Sequence, residues 1–225
     1  MVLLTRGKDK ALLEKLRAQG IPAEEVALLG QVDLPGLHLL PQKLRGADWV
    51  AVTSKEGARR LLWAWKEAGR PPLRVAAVGE GTGEALRAGG LFPAFLPPRA
   101  TARDLAQSFP EAKRVLFVAG DLAGGALEEG LRARGVEVER LEVYATRERP
   151  LSPEEIALLE RAEVVALFSP SGARAYARWT KRRPRAACIG PSTAQEALSL
   201  GFPVVEADRP GLEGLYRAIL KAWGG

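Results

Sequence analysis

The sequence predicts an α/β fold with two doubly wound parallel sheets. Two observations lead to this prediction: short aliphatic runs alternate with helical patterns along the whole chain, and blocks of the first half recur in the second half. Strands that are buried on both faces of a parallel sheet are short and apolar throughout, as these runs are. Alternation of such strands with helices is typical of doubly wound proteins.

Local signals place the elements. Apolar residues recur at helical spacing in several segments, for example at Leu12 and Leu16. A hydroxyl residue followed three positions later by an acidic one predicts a helix start, and glycine after the last apolar position predicts a helix end. Predicted strands occupy residues 49–52, 75–78, 115–118, 164–168 and 186–189, predicted helix starts lie at Thr101 and Ser152, and predicted helix ends lie at Gly20 and Gly135.

The internal repeat consists of three matched blocks in one order. Each block pairs a strand pattern with the start of a helix, and the offset is about half the chain. The matches are residues 2–20 with 115–135, residues 50–59 with 165–174, and residues 77–86 with 188–198, the last with one inserted residue. Two similar domains are therefore expected.

Two stretches have linker chemistry, residues 33–36 and residues 147–152. If both are crossings, the first βα unit belongs to the C-terminal half. Domain 1 then comprises residues 1–34 and 149–225, domain 2 comprises residues 35–148, and ligands are expected in a cleft between them. A single division near residues 110–112 is the alternative.

Composition restricts the chemistry. His38 is the only histidine and Cys188 the only cysteine among 225 residues. An internal disulfide is excluded, and a zinc site or a Ser-His-Asp triad would have to use that single histidine. We therefore expect no metal site, and chemistry based on carboxylates, arginines, hydroxyls, backbone N–H groups or a cofactor.

The location and partners are constrained less strongly. No apolar run is long enough to cross a bilayer, and the opening residues lack the pattern of a signal peptide. A single cysteine suits a reducing compartment, so we expect a cytoplasmic protein without membrane contact. The net charge of +6 suggests an anionic partner. GC-rich codon usage or the charged surface of a heat-adapted protein explains it equally well.

Candidate binding residues lie where strands end and helices begin. Ligands of open parallel sheets bind there, because helix N-termini present unpaired N–H groups. Any one such turn is also explained as an ordinary helix cap, but turns repeated in both halves favour a shared cleft. The candidates are Arg6, Thr53, Ser54, Gly79, Thr82, Gly120, Ser169, Ser171, Gly172, Gly190, Ser192 and Thr193.

Stronger phosphate and nucleic-acid motifs are missing from the sequence. The run from Gly79 to Gly83 follows a strand pattern, but Glu84 stands where a dinucleotide fingerprint needs its third glycine. No Walker lysine sequence or helix-turn-helix pattern occurs. The basic residues 181–185 are interpreted as a solvated loop rather than a nucleic-acid contact.

Tyr144 is the remaining candidate. It lies at the end of the predicted strand that begins near Val136. A tyrosine in a strand is usually half-buried packing. At the presumed return crossing between domains, however, its hydroxyl would face the interdomain space.

In combination these pieces resemble the uroporphyrinogen-III synthase family. The resemblance spans nearly the whole chain, and the order and spacing of the motifs carry it rather than any one of them. The matching segments are residues 4–6, 53–58, 77–79, 120–136, 143–144, 169–172 and 189–194. The family implies two flavodoxin-like domains joined by two linkers, with the first βα unit packed into the C-terminal domain.

The resemblance also implies a reaction. Hydroxymethylbilane loses its hydroxyl to give an azafulvene, and the substituted carbon of the last ring attacks to form a spiro-pyrrolenine. Fragmentation and reclosure then give the macrocycle with that ring inverted. Tyr144 is implied as the proton donor, while the strand-end candidates above would bind the substrate carboxylates. No cofactor, metal or covalent intermediate is implied.

Glu80 departs from this picture, because it brings an acidic side chain into a turn that should face an anionic substrate. It makes Thr82 a weaker match than Thr193. A monomer with transient contact to hydroxymethylbilane synthase, and without nucleic acid, is expected. The alternative functions are a cytoplasmic two-domain small-ligand binding protein and a nucleotide-sensing regulator.

Overall fold

A computed structural model of the chain describes residues 1–224. The chain divides into two compact units. Unit 1 comprises Met1–Gly30 and the segment from Arg147 onward, and unit 2 comprises Gln31–Thr146. The chain therefore passes from one unit to the other twice.

The described residues form ten strands and ten α-helices. The strands are β1 (Val2–Leu4), β2 (Ala23–Glu25), β3 (Leu29–Asp33), β4 (Trp49–Val52), β5 (Val75–Ala77), β6 (Arg114–Gly120), β7 (Glu137–Glu148), β8 (Val164–Leu167), β9 (Arg185–Cys188) and β10 (Val204–Glu206). The helices are α1 (Lys10–Ala18), α2 (Gly36–Lys43), α3 (Lys55–Glu67), α4 (Glu80–Ala88), α5 (Ala102–Ser108), α6 (Ala126–Ala133), α7 (Pro153–Arg161), α8 (Pro170–Trp179), α9 (Pro191–Ser199) and α10 (Leu212–Gly224). A single 3₁₀ turn, Leu44–Gly46, follows α2.

Each unit contains one sheet. The order in unit 1 is β2-β1-β8-β9-β10, and all its strand pairs are parallel. Counted along the unit this is the order 2-1-3-4-5 of flavodoxin-like folds. The order in unit 2 is β3-β7-β6-β4-β5, with parallel pairing from β7 to β5. The predicted fold class is confirmed.

The sequence repeat corresponds to a repeat in strand register. Leu3 pairs with Val165 in unit 1, and the equivalent residues of unit 2, Leu116 and Val50, pair with each other. The pairing of β8 with β9 and of β4 with β5 agrees in the same way. Strands β1, β8 and β9 of unit 1 therefore correspond to β6, β4 and β5 of unit 2.

Both faces of each sheet are covered, which explains why the strands are apolar throughout. Along β8, Val165 and Leu167 belong to one core cluster, and Val164 and Ala166 belong to the cluster on the opposite face. The sheet of unit 2 separates two further clusters in the same way. Side chains of successive strand residues point to opposite faces, so burial on both sides requires a continuous apolar run.

The predicted helix signals are mostly confirmed. Ser152 and Glu155 form a complete capping box at the start of α7. Thr101 caps α5 by accepting from Asp104 N, but the reciprocal bond is absent because the Thr101 N–H donates to the carbonyl of Arg99. Gly20 and Gly135 follow helix ends with φ of +74° and +77°, a region that favours glycine.

No helix in the described part of the chain is long and apolar enough to span a membrane.

Replacing Ser152 with Ala removes one half of the capping box. We expect a loss of about 1 kcal/mol in the free energy of unfolding, which lowers a thermal midpoint by roughly 2–4 °C in a chain of this size. Ser199→Ala is the matched control, because Ser199 is exposed and its hydroxyl only donates to a carbonyl of its own helix. Equal midpoints for the two variants, measured by circular dichroism, would contradict the assignment.

Candidate active site

Three sequence candidates come together on neighbouring strands of unit 2, two of them at carboxyl ends. Ser54 follows β4, Gly120 ends β6, and Tyr144 lies in β7. The phenol oxygen of Tyr144 lies 2.8 Å from Ser54 Oγ. Tyr144 is 9% exposed, so its ring is packed, and its hydroxyl lies beside Ser54 after the carboxyl end of β4. The switch point of the sheet, between β6 and β4, lies beside this pair.

A bulge and a missing side chain create the position of the phenol. The pairing of β6 with β7 shifts after Ala119, skips Val143 and sets Tyr144 opposite Gly120. A Cβ atom on Gly120 would lie 2.5 Å from Cζ and 2.7 Å from the hydroxyl oxygen of Tyr144. Only glycine leaves room for the ring there. Strand β7 continues to Glu148, so Tyr144 is inside the strand and not at its end as predicted.

Ser54 is fixed by the helix that it caps. Its Oγ accepts a hydrogen bond of 3.0 Å from the N–H of Gly57. A serine hydroxyl has one proton and two lone pairs. With one lone pair used by Gly57, Ser54 can either accept from the phenol or donate its own proton to the phenol oxygen. In the second arrangement the phenolic proton is available to a ligand.

The ring face of Tyr144 lies under an arginine. The guanidinium carbon of Arg60 is 4.8 Å from the ring centroid. Arg60 also donates to Asp33 Oδ1 at 2.9 Å and to Glu56 Oε2 at 3.0 Å. The side chain is only 14% exposed. Arg60 is thus held between two carboxylates and one aromatic face.

Arg140 fixes the loop that follows β6. Its guanidinium donates to the carbonyl oxygens of Gly120 and Ala123 and pairs with the buried carboxylate of Glu128. The Asp121 N–H donates to the carbonyl of Tyr144 at 3.0 Å. The backbone beside the phenol is therefore tied to β7 at several points.

The other unit 2 candidates lie at the starts of helices. Thr53 immediately precedes the Ser54 cap, and Gly79 is the N-cap of α4. Thr82 lies in the first turn of α4 and is only 6% exposed. Glu80, the unexpected acid, pairs with Arg87 of the same helix. Its charge is therefore partly neutralised within α4.

Unit 1 repeats the arrangement without the tyrosine. Ser169 caps α8 by accepting from Gly172 N, and its Oγ lies 3.1 Å from the hydroxyl of Ser171. Gly190 is the N-cap of α9. Ser192 and Thr193 lie in the first turn of that helix, Ser192 exposed and Thr193 buried.

Arg6 is less available than the sequence suggested. Its Nε and Nη2 both bind the carboxylate of Asp9, whose side chain is 1% exposed. The guanidinium also lies 4.4 Å from the ring centroid of Phe168. Arg6 follows β1 as predicted, but two of its donor nitrogens are committed within unit 1.

Sequence reasoning missed four residues that shape these sites: Arg60, Glu56, Asp9 and Arg140. The spacing of Glu56 and Arg60, four residues apart in a predicted helix, was a readable sign of an ion pair. The contact of Arg60 with Tyr144 had no such sign, because the two residues are far apart in sequence.

Neither a metal cluster nor a reactive thiol is present among residues 1–224. No group of three or more His, Cys, Asp or Glu side chains is placed to hold a metal ion. Cys188 is fully buried. Burial, with a smaller effect from the charge of Glu206, raises the pKa of its thiol to about 12. At neutral pH the thiol is protonated and is not a nucleophile.

A sequence model of the uroporphyrinogen-III synthase HemD family matches residues 10–217. The chain belongs to this family. Family membership confirms the resemblance seen in the sequence, and with it an enzyme of porphyrin biosynthesis.

Individual relatives agree with this assignment. The chloroplastic uroporphyrinogen-III synthase of rice is 33% identical over 99% of this chain and 80% of its own length. The crystal structure of uroporphyrinogen-III synthetase from Helicobacter pylori is 20% identical and covers 98% of both chains with a TM-score of 0.75. A mutant uroporphyrinogen III synthase from Thermus thermophilus, 19% identical, covers 100% of this chain and 99% of its own with a TM-score of 0.60. At these identities the two structures support the fold.

Replacing Gly120 with Ala places a methyl group in the space that the phenol occupies. We expect the Tyr144 hydroxyl to move away from Ser54 and the synthase rate to fall by about 10-fold or more, since small misplacements at a reacting centre are costly. Gly124→Ala is the matched control, because a Cβ there meets nothing within 4 Å. Equal synthase rates for both variants would show that the ring does not need this space.

The buried thiol gives a pH-dependent prediction. The folded protein holds the Cys188 proton up to a pKa of about 12, whereas the unfolded chain releases it near pH 9. The free energy of unfolding should therefore lose a contribution as pH rises from 9 towards 12. A thiol reagent at pH 8 should label Cys188 far more slowly in native protein than in guanidinium. Equal labelling rates would contradict the burial, and Cys188→Ala supplies the blank.

Proposed function

We propose that the chain converts hydroxymethylbilane to uroporphyrinogen III, with Tyr144 as the proton donor that starts the reaction. The observation that carries this assignment of roles is the 2.8 Å contact between the phenol and Ser54 Oγ. It is a hydroxyl pair beside the carboxyl end of β4, and one of its two protons is available to a bound substrate. A phenol in this setting suits proton donation to a leaving hydroxyl.

In the first step, the bond between the terminal methylene carbon and its oxygen breaks. The oxygen leaves as water with the proton of Tyr144, and electrons of the pyrrole ring fill the vacant orbital to give the azafulvene in its N-protonated, cationic form. Negative charge develops on the phenol oxygen, where the Ser54 hydroxyl donates a hydrogen bond. Ser54 is therefore assigned to Tyr144 rather than to a substrate carboxylate, because it has only one proton to donate.

The later steps depend on how the substrate is held. The substituted carbon of the last ring attacks the methylene carbon, and the spiro-pyrrolenine fragments and recloses with that ring inverted. Closure releases one proton, which restores the phenol. The atoms balance with water as the only other product. Spontaneous closure gives the uninverted isomer, so the enzyme's contribution is mainly orientation.

Orientation is assigned to donors at the helix starts of each unit. The substrate carries acetate and propionate groups, and the unpaired N–H groups at a helix N-terminus bind carboxylates. Thr53 and Gly79 supply such positions in unit 2, whereas Gly120 is buried at the end of β6 and makes room for the Tyr144 ring. The corresponding positions of unit 1 are Ser169, Ser171, Gly190, Ser192 and Thr193, and the N–H of Gly172 is already used by the Ser169 cap. Thr82 and Thr193 are buried in the first turns of α4 and α9, so they are assigned to these helix starts rather than to direct contact through exposed hydroxyls.

Arg6 is assigned a secondary part in binding. Its charge is balanced by Asp9, and Nη1 is the nitrogen not used in that pair. One further donation to a carboxylate is compatible with this geometry.

We also propose the reaction class and setting. Loss of water with ring closure makes the enzyme a cyclising hydro-lyase. A single buried cysteine suits a cytoplasmic location. The assembly is proposed to be a monomer that receives its unstable substrate through transient contact with hydroxymethylbilane synthase.

The function is tested by supplying hydroxymethylbilane, oxidising the products and separating the porphyrin isomers. The inverted isomer should form much faster than the uninverted isomer forms without enzyme. If only the uninverted isomer accumulates, at the uncatalysed rate, the proposed function is wrong.

The role of Tyr144 is tested by Tyr144→Phe. Loss of a general acid costs roughly 100-fold or more in rate, so kcat should fall by about that factor while the fold is retained. Tyr216→Phe is the matched control, because Tyr216 lies in α10 against Lys15. An unchanged kcat for Tyr144→Phe would remove the phenol from the mechanism.

A further inference from the structure

Arg60 holds the reacting phenol from its ring face. Its guanidinium carbon lies 4.8 Å from the ring centroid of Tyr144, within the range of a cation–π contact. The hydroxyl of the same ring forms a hydrogen bond with Ser54 Oγ. Gly120 lies next to the ring and its hydroxyl. Together these contacts restrain both the tilt of the ring and the direction of its hydroxyl.

The arginine is itself held in place. Asp33 Oδ1, Glu56 Oε2 and the Glu56 carbonyl accept from it at 2.9, 3.0 and 3.2 Å. Glu56 and Arg60 are four residues apart on α3, and their side chains are 16% and 14% exposed. A side chain fixed by three hydrogen bonds loses little further freedom when it stacks, so its contact with the ring is well defined.

The internal repeat provides a comparison within the same chain. Both units contain the capping serine and the glycine three residues later, Ser54 with Gly57 and Ser169 with Gly172. At the position equivalent to Arg60, unit 1 has Ala175, which is fully buried. The position equivalent to Glu56 is Ser171 in unit 1, and there the capping serine contacts that residue instead of a phenol.

The arginine, its carboxylate and the tyrosine are thus found together in unit 2, whereas the helix cap is common to both. A part needed only for the fold of the repeat would be expected in both units.

We infer that Arg60 is a positioning residue for the synthase reaction and acts through Tyr144. The inference rests on the proposed role of Tyr144. With Arg60 in place the ring keeps the tilt that aims its hydroxyl at the leaving group, and the cation over the ring face favours the charge that develops as the proton departs. As a positioning residue Arg60 does not touch the substrate, so its loss should affect turnover and leave substrate binding nearly unchanged.

The kinetic test compares Arg60→Met, Arg60→Lys and Arg59→Gln. Arg60→Met should lower kcat by about 5- to 10-fold, the size expected for a partly buried cation–π contact, with KM changed less than twofold. Arg60→Lys keeps the charge and should recover part of the loss. Arg59 is the matched control, because it pairs with the same Glu56 but is 63% exposed on the outer side of the helix. Its replacement should leave kcat unchanged.

A double-mutant cycle separates positioning from a structural role. In a Tyr144→Phe background the hydroxyl that Arg60 positions is gone, so adding Arg60→Met should lower the residual rate by less than twofold. If Arg60→Met lowers kcat by the same factor in both backgrounds, it does not act through Tyr144 and the inference is wrong. A rise in KM of the same size as the fall in kcat would contradict it as well.

A spectroscopic readout tests the contact without relying on activity. The chain has three tyrosines, Tyr144, Tyr176 and Tyr216, so protein with ¹³C-labelled tyrosine rings gives few signals, assignable by single Tyr→Phe variants. Arg60→Met should shift the Tyr144 signal alone, and Arg59→Gln should shift none. An unmoved Tyr144 signal would overturn the inference.

The proposed function is tested separately, in the wild-type protein. If that function is wrong, the wild type yields only the uninverted isomer, whether or not Arg60→Met shifts the Tyr144 signal. The inference fails by itself if the wild type makes the inverted isomer and the double-mutant cycle is additive.

Discussion

The absence of a side chain at Gly120 determines where the Tyr144 phenol lies, and the other contacts of the candidate site depend on it. A Cβ atom at this position would lie 2.5 Å from Cζ of the ring, far inside contact distance. With that space open, the ring lies at the end of β6 and its hydroxyl reaches Ser54. The bulge in β7 is the second requirement, because without the one-residue shift Val143 rather than Tyr144 would face Gly120.

The two units show how a duplicated scaffold acquires an asymmetric site. Strand register, the capping serine and the glycine whose N–H that serine accepts are shared by the two units. The phenol and the arginine over its face occur in unit 2, while unit 1 has small residues at the equivalent helix positions. The helix cap is thus common to both units, and the proposed proton donor belongs to unit 2.

Much of the fold could be predicted from the sequence, because its signals are local. The continuous apolar runs of β4, β6 and β8 follow from burial on both faces, and Ser152 at the start of α7 was readable as a cap. The end of the tyrosine strand could not be read, because β7 continues through polar residues to Glu148. Propensity and pattern give no sign of where such a strand stops.

The candidate site was predictable only in part, for a related reason. Turns such as Thr53–Ser54 are marked by hydroxyls after a strand pattern, so sequence could list them. Some contacts come from distant segments, as where Arg60 meets Tyr144. Others are local but need the folded loop, as where Asp9, three residues from Arg6, takes two of its nitrogens. Such contacts depend on the folded structure. They determine which polar atoms of a residue are already bonded, and the residue type alone does not show this.

Tyr144 is proposed to supply a proton to the departing hydroxyl. The most direct measurement compares two bilanes, one with the terminal hydroxyl and one whose terminal ammonium group leaves as neutral ammonia and needs no proton. If the claim is correct, replacing Tyr144 with Phe slows the first substrate strongly and the second hardly at all. The same loss of rate with both substrates would show that the tyrosine does not act as the acid.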